Sequence, residues 1–170
     1  MPKLDFEFVK THIDKVDFEL FELTKTNIHE VQPLIRSYPS KRWDWSYIST
    51  NYDLSYILDN IIGYSKYLDL VETVNRAFTS KDYVLPFCRS QDFIEVLTEA
   101  KESKLSNFSP NQANYFWSKT LIELLEKTGY LSWGSGNYTL GFECNPYIEW
   151  TYDFFKEYHS RITSQRGCNF

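Results

Sequence analysis

Glycine and proline are scarce in this chain, since each occurs only six times in 170 residues. This scarcity excludes a collagen-like or low-complexity chain, because both classes need these residues in excess. Apolar runs are also short, and none approaches the roughly 18 residues that a membrane-spanning helix requires. The first residues lack the apolar core of a secretion signal. We therefore expect a cytoplasmic protein that makes no contact with membranes.

Cysteine is rare and shows no metal-binding or redox spacing. Cys88, Cys144 and Cys168 are isolated from one another and odd in number, which predicts idle or buried thiols in a reducing compartment. The three histidines are scattered, and no HExxH, GxSxG, P-loop or GxGxxG pattern occurs. The sequence thus predicts no metal site, no cofactor and no catalytic residues, and it favours a protein that is not an enzyme.

An excess of basic residues is also lacking. Lys and Arg number 18 against 23 Asp and Glu, which gives a net charge of −5. A protein that binds duplex DNA by releasing counterions needs a clustered basic face. No basic run is present, so nucleic acid is a disfavoured partner and a protein is the favoured one.

Aromatic residues are what the chain has in excess. It contains 13 Phe, 13 Tyr and 5 Trp, or 18% of all residues. Large rings can fill the gaps between short helices that each offer little apolar area. We therefore expect most of these rings in the core.

An apolar-Asp-apolar triplet recurs with a spacing of 27, 25 and 23 residues between aspartates. Such a period fits short helix pairs that bury their apolar faces by stacking, with each aspartate near a helix start. The triplets are Val16-Asp17-Phe18, Trp43-Asp44-Trp45, Leu68-Asp69-Leu70 and the partial copy Gln91-Asp92-Phe93.

Two neighbouring segments, Lys41–Ser49 and Asn51–Asn60, carry a family resemblance. With Trp43-Asp44-Trp45 at its centre, residues 4–90 resemble the degenerate W-D-W helical repeats of large uncharacterised bacterial and giant-virus proteins. The resemblance implies a helical array and a larger parent protein, so the chain could be a fragment. It implies no catalytic residues.

The second half predicts two helices, a β-hairpin and a last helix. The first helix runs from Asp92 to about Lys104. Ser109-Pro110 is typical of a helix start and Gly129 of a helix end, so a long helix is predicted over residues 111–128. Its apolar face comprises Trp117, Leu121, Leu124, Leu125 and Thr128.

The hairpin is predicted from residues 130–133 and 138–142, which flank Gly134-Ser135-Gly136-Asn137. Asn145-Pro146 then predicts the cap of the last helix. Its apolar stripe is Ile148, Phe155, Tyr158 and Ile162, with Phe154 alongside.

The predicted fold class is therefore mostly α, with short helix-pair repeats followed by a long helix, a β-hairpin and a C-terminal helix. Residues 1–90 form the helical repeat segment. Residues 91–170 form the helix-helix-hairpin-helix segment, packed with the first as one body.

Two surfaces are candidates for partner contact. The hairpin tip offers Trp133, Ser135, Asn137 and Tyr138, although a plain turn is the competing interpretation. The acidic docking face for a basic partner comprises Asp92, Glu95, Glu99 and Glu102, although such a face is usually only solvated.

The leading functional hypothesis is a non-catalytic protein-interaction or scaffold module. A second hypothesis is a small acidic inhibitor, such as a toxin-immunity or phage counter-defence protein, that masks a basic site on its target. A third is a winged-helix nucleic-acid binder. In it, helix 111–128 enters the groove, the hairpin is the wing, and Lys119 and Lys127 face phosphates.

Overall fold

The computed structural model describes residues 6–15, 28–134 and 140–162, and these residues form ten α-helices and no β-strand. The mostly α class is confirmed. Three 3-10 turns accompany the helices, at Ile13–Lys15, Phe142–Cys144 and His159–Arg161. The helices are α1 (Phe6–Thr11), α2 (Ile28–Ser37), α3 (Trp45–Asn51), α4 (Leu54–Asp59), α5 (Ile61–Tyr64), α6 (Leu70–Thr79), α7 (Lys81–Cys88), α8 (Gln91–Ala100), α9 (Lys119–Lys127) and α10 (Tyr152–Tyr158).

The chain divides into two compact units, Met1–Thr73 and Val74–Phe170. The division falls inside α6, whereas the sequence predicted a boundary at residue 90. The candidate site lies within the second unit.

Aspartates begin helices in the first unit, as the triplets predict. The Asp44 carboxylate accepts the Tyr47 N–H at 3.0 Å at the start of α3, and Asp69 accepts the Glu72 N–H at 3.1 Å at the start of α6. Each carboxylate satisfies a backbone donor that has no partner within its own helix. The triplet around Asp17 lies outside the described residues, and the helix-pair repeat itself stays a prediction.

Both tryptophans of the central triplet pack inside the first unit. Trp43 is buried and donates its indole N–H to the Tyr38 carbonyl at 2.9 Å. The half-buried ring of Trp45 lies 5.2 Å from Tyr67 and 5.3 Å from Tyr64. In the first unit, these aromatic rings therefore serve packing.

In the second unit, α7 packs against α8 and α9. Helix α8 begins one residue before the predicted start and ends at Ala100, four residues before the predicted end. Its cap is Ser90, whose hydroxyl accepts the Phe93 N–H at 3.3 Å, so Asp92 lies within the first turn. The buried rings of Phe87 and Phe93 stack between α7 and α8, with centroids 3.5 Å apart.

The long helix predicted over residues 111–128 is wrong at its start. Helix α9 begins at Lys119, where Ser118 caps it by accepting the Leu121 N–H at 3.2 Å. The preceding segment is not helical, because its polar groups have partners elsewhere in the chain. The Asn111 amide bonds Ser132 through both of its polar atoms, at 2.6 and 3.0 Å, and the Phe116 N–H donates to the Phe78 carbonyl at 2.9 Å.

The predicted end of this helix is confirmed. Gly129 has a φ of +80°, which L side chains rarely adopt. The Tyr130 N–H reaches the Leu125 carbonyl at 2.9 Å, and the Gly129 N–H reaches the Glu126 carbonyl at 3.1 Å. These two bonds form a Schellman cap. The predicted apolar face is also confirmed in Leu121, Leu124, Leu125 and Thr128, which are all buried.

The predicted β-hairpin is not supported. Its tip, residues 135–139, lies outside the described residues, and residues 130–134 and 140–142 form no strand. One backbone bond joins the two sides, from the Phe142 N–H to the Ser132 carbonyl at 2.8 Å. The Gly134 N–H instead donates to the carboxylate of the fully buried Glu143, at 2.9 Å from each oxygen. The Glu143 side chain therefore accepts a backbone N–H that a β-ladder would have used.

The last helix also begins later than predicted. Asn145 caps only a local turn, by accepting the Tyr147 N–H at 2.8 Å, and α10 starts after Thr151, which accepts the Phe154 N–H at 3.2 Å. The helix places Phe154 and Tyr158 on its inner side, with ring centroids 4.9 Å apart. Phe155, predicted to be in the core, is 37% exposed.

Cysteine chemistry differs from the expectation of three idle thiols. Cys88 is buried and free, whereas Cys144 is disulfide-bonded. The cytoplasmic location stays a prediction. Within the described ranges, no helix has the length and apolar character needed to cross a bilayer.

Candidate functional site

Trp133 is the one predicted hairpin-tip residue that lies within the described ranges. Trp133 is half-buried and donates its indole N–H to the Glu126 carboxylate at 3.2 Å. Its ring meets Phe142 edge-on at 5.0 Å and stacks on Tyr158 at 5.7 Å. Trp133 is thus a packing residue. The other three candidates, Ser135, Asn137 and Tyr138, lie outside the described residues.

The acidic docking face is present as an exposed row. Asp92, Glu95 and Glu99 lie on α8, and Glu102 follows in the next turn; all four side chains are exposed. Among the described residues, none of these carboxylates forms an ion pair. The contact found in the row is a hydrogen bond of 3.5 Å from Gln91 to Glu95. A docking role for these side chains stays a prediction.

A more distinctive feature is an open cleft of about 420 Å³ in the second unit. This volume lies within the roughly 300–1,000 Å³ range of ligand sites. Four separate stretches of chain form the cleft: α7, the segment before α9, the turn after Asn145, and α10. We call it the aromatic cleft. Its lining residues are Lys81, Val84, Leu85, Tyr115, Phe116, Trp117, Ser118, Tyr147, Ile148, Glu149 and Phe154.

Hydrogen bonds and a ring contact with the rest of the second unit hold the wall formed by Tyr115, Phe116 and Trp117. The Tyr115 hydroxyl donates to the Asn75 side-chain carbonyl, and its ring lies 5.3 Å from Phe78. The Trp117 indole N–H donates to the Ala113 carbonyl at 2.9 Å. Together with the backbone bond from Phe116 to Phe78, these contacts fix the wall before any ligand arrives.

The opposite wall is anchored by one buried amide. Asn145 is 2% exposed and donates from its side chain to the carbonyls of Asn111 and Ala113, at 2.9 and 3.0 Å. The same side chain accepts the Tyr147 N–H. Asn145 therefore ties the turn that carries Tyr147 to the segment that carries Phe116.

Aromatic rings continue from the cleft into the core. The Trp117 ring contacts Phe142 at 4.6 Å, and Phe142 in turn contacts Trp133. Trp133 contacts Tyr158, and Tyr158 contacts Phe154, which also lines the cleft. Tilted and edge-on ring pairs of this kind are favourable beyond the area they bury. The floor of the cleft is thus part of a rigid aromatic network.

Burial keeps the polar groups beneath the cleft neutral. It raises the pKa of the Tyr115 phenol to about 12, and it raises the pKa of the Cys88 thiol on α7 to about 12 as well. A thiol that stays protonated is a poor nucleophile. The described residues also contain no group of three or more side chains able to hold a metal ion. The arrangement supports binding by apolar contact.

Three of the large apolar side chains around this cleft are exposed, namely Leu85 (45%), Phe116 (48%) and Tyr147 (55%). Sequence reasoning missed them. It assigned Phe116 to a helix and gave Leu85 and Tyr147 no role. The signal that could have found the site is the run Tyr115-Phe116-Trp117, because three consecutive large rings cannot all face the core side of one helix.

In comparisons with known proteins, no protein-family model, no curated protein and no solved structure matches the chain.

Proposed function

We propose that this protein is a non-catalytic protein-interaction module that binds its partner through the aromatic cleft. The observation that carries the proposal is the clustering of exposed Leu85, Phe116 and Tyr147 around one preformed concave surface. Contiguous exposed apolar patches on a folded protein mark interaction surfaces. Aromatic side chains at the centre of an interface supply a large share of binding energy.

Two further exposed rings extend the surface along α10. Tyr152 is 77% exposed and Phe155 is 37% exposed, on the helix that contributes Phe154 to the lining. Apolar anchors surrounded by polar side chains are typical of protein interfaces. A partner that covered the cleft could therefore also contact α10.

The test is site-specific photocrosslinking. A photoreactive phenylalanine analogue replaces Phe116 in one variant and Ile62 in another, since both side chains are about half exposed. We expect a discrete crosslinked protein from native-host extract only at position 116, and excess unlabelled chain should compete for it. Equal yields at both positions would overturn the proposal, because Ile62 belongs to the first unit and does not line the cleft.

The acidic docking face supports a second candidate function, a small acidic inhibitor that masks a basic site. Its support is the exposed row of four carboxylates without ion pairs among the described residues, on a chain of net charge −5. Such a surface steers a basic partner and makes binding depend on salt. Charge reversal of Glu95 and Glu99 to Lys should then weaken binding of the partner protein and reduce the salt dependence of that binding. Phe116→Ser should have little effect on binding in this case.

The winged-helix alternative gains no support from this geometry. Helix α9 buries Leu121, Leu124 and Leu125. Lys119 forms an ion pair with Glu157 at 2.9 Å and reaches Glu123 at 4.0 Å. These carboxylates compete with a phosphate for Lys119, and no described residue contributes a wing strand.

A further inference from the structure

We propose that the aromatic cleft accepts a short partner segment in which one large aromatic side chain is flanked by an acidic and a basic residue. This inference rests on the proposed function and specifies the chemistry of the partner at the same site.

Most polar groups of the lining are already bonded within the protein. The Tyr115 hydroxyl bonds Asn75, the Trp117 indole N–H bonds a backbone carbonyl, and the Ser118 hydroxyl caps α9. None of these groups needs a partner from a ligand. The interior of the cleft therefore presents ring faces and aliphatic carbon, which favour an apolar or aromatic insert.

Two charges of opposite sign remain at the exposed positions of the lining. Lys81 and Glu149 are both exposed, and neither forms an ion pair with any residue that the structure describes. The Tyr147 side chain, also exposed, adds a hydroxyl that can donate or accept. A ligand with a single charge could form an ion pair with only one of the two side chains.

A segment with both charges satisfies the two ions together. An acidic group can approach the Lys81 ammonium while a basic group approaches the Glu149 carboxylate, and the lining contributes no net charge. Exposed ion pairs stabilise weakly, so they would select among aromatic segments while the rings supply most of the affinity.

The size of the cleft limits the insert to about one large side chain. A volume of about 420 Å³ is near the lower end of the range for ligand sites, roughly 300–1,000 Å³. An amphipathic helix in a groove would need anchors at positions i, i+3 or i+4, and i+7. The cleft is too small for such a row, and one aromatic anchor with its neighbours fits better.

Capped tripeptides provide the probe, with nuclear magnetic resonance of the full-length protein as the measurement. We would titrate acetylated and amidated Asp-Trp-Lys, Lys-Trp-Asp, Ala-Trp-Ala, Asp-Trp-Asp, Lys-Trp-Lys and Asp-Ala-Lys. We expect shifts at the amides of Phe116 and Tyr147. At least one peptide with opposite charges should bind about threefold to tenfold more tightly than Ala-Trp-Ala. Asp-Ala-Lys, which lacks the anchor, should not bind.

The matched variant exchanges the two charges, Lys81→Glu with Glu149→Lys, and so preserves the net charge of the chain. It should reverse the preference between Asp-Trp-Lys and Lys-Trp-Asp. Both side chains are exposed, so folding should persist, and circular dichroism checks this. Phe116→Ser, which changes an exposed ring, should abolish binding of every Trp peptide.

Three outcomes would overturn the inference. One is equal affinity of all Trp peptides, and another is no change of preference in the exchanged variant. In both cases photocrosslinking at position 116 could still succeed, and the proposed function would stand. The third is a concentration-dependent dimer in sedimentation that Phe116→Ser removes, because the occupant would then be a second copy of this chain. Charge-dependent peptide binding without any crosslinked protein would support the cleft chemistry and overturn the proposed function.

Discussion

Substitution of Gly141 by alanine should destabilise the second unit, because the space for a side chain at this position is already occupied. A Cβ built on Gly141 would lie 2.5 Å from the Gly134 nitrogen and 2.7 Å from the Gly134 carbonyl carbon, and it would also meet a carboxylate oxygen of Glu143. Real Cβ atoms essentially never come so close to other atoms. The φ of Gly141 is −71°, which any residue adopts, so the requirement is for space alone.

The expected magnitude follows from what must move. Forcing an extra carbon into a packed site costs about 1–3 kcal/mol. Displacing Glu143 would not relieve the clash with the Gly134 backbone, and it would break a charge-assisted hydrogen bond whose net contribution is about 1.5–3 kcal/mol. Alanine offsets about 0.4–1 kcal/mol of this by restricting the unfolded chain. We expect a net loss of about 1.5–5.5 kcal/mol in the free energy of unfolding.

The matched control is Gly63→Ala. Gly63 lies inside α5, and a Cβ there meets nothing within 4 Å. The same chemical change should therefore raise stability by about 0.5–1 kcal/mol, since glycine is unfavourable within a helix. Urea unfolding followed by circular dichroism measures both variants. Hydrogen exchange at the Gly134 amide, which Glu143 protects in the native protein, should become faster only in Gly141→Ala.

The reasoning would be refuted if Gly141→Ala were as stable as the native protein with an unchanged Gly134 exchange rate. That result would mean that the close approach of Gly134 and Gly141 does not exist in solution.

Three further predictions concern caps and titration. Asp69→Ala should lower the free energy of unfolding by about 0.5–2 kcal/mol through loss of a helix cap, whereas Asp92→Ala should change it little. Urea unfolding of the two variants measures this contrast, and equal losses of stability would contradict it. Because burial raises the pKa of Cys88 to about 12, the native thiol should resist iodoacetamide at mildly alkaline pH and react only in denaturant, as mass spectrometry would show. Burial also raises the pKa of Tyr115 and of Tyr158 to about 12, from an ordinary value of 10.0. Groups whose pKa is raised on folding favour the native state below their unfolded pKa, so stability should fall as pH rises from about 10 towards 12. A constant urea midpoint across that range would disprove this dependence.

The candidate site shows why sequence patterns predict the helices but not the cleft. A helical period reports which side chains share one face over three or four residues. The cleft joins Lys81, Phe116, Glu149 and Phe154, which lie on four stretches separated by irregular chain. No period connects these positions, so the sequence alone gave Phe116 the role of a helical residue and gave Lys81 none.

Local physics was enough for the features that depend on neighbours in the chain. Asp44 and Asp69 cap their helices, Gly129 ends α9, and Leu121 and Leu125 lie on the buried face. Each follows from a backbone donor, a positive φ or a side-chain period within a few residues, so the sequence by itself determined them.

Only the tertiary structure decided the course of residues 110–118 and of the turn before α10. Serine and proline at plausible capping positions predicted a helix, but Asn111 bonds Ser132, 21 residues further on, and Phe116 bonds Phe78, 38 residues before it. These distant partners satisfy polar groups that a helix would otherwise have satisfied. The aromatic cleft is the consequence, since an unwound segment turns Phe116 towards solvent while Tyr115 and Trp117 stay anchored to the core.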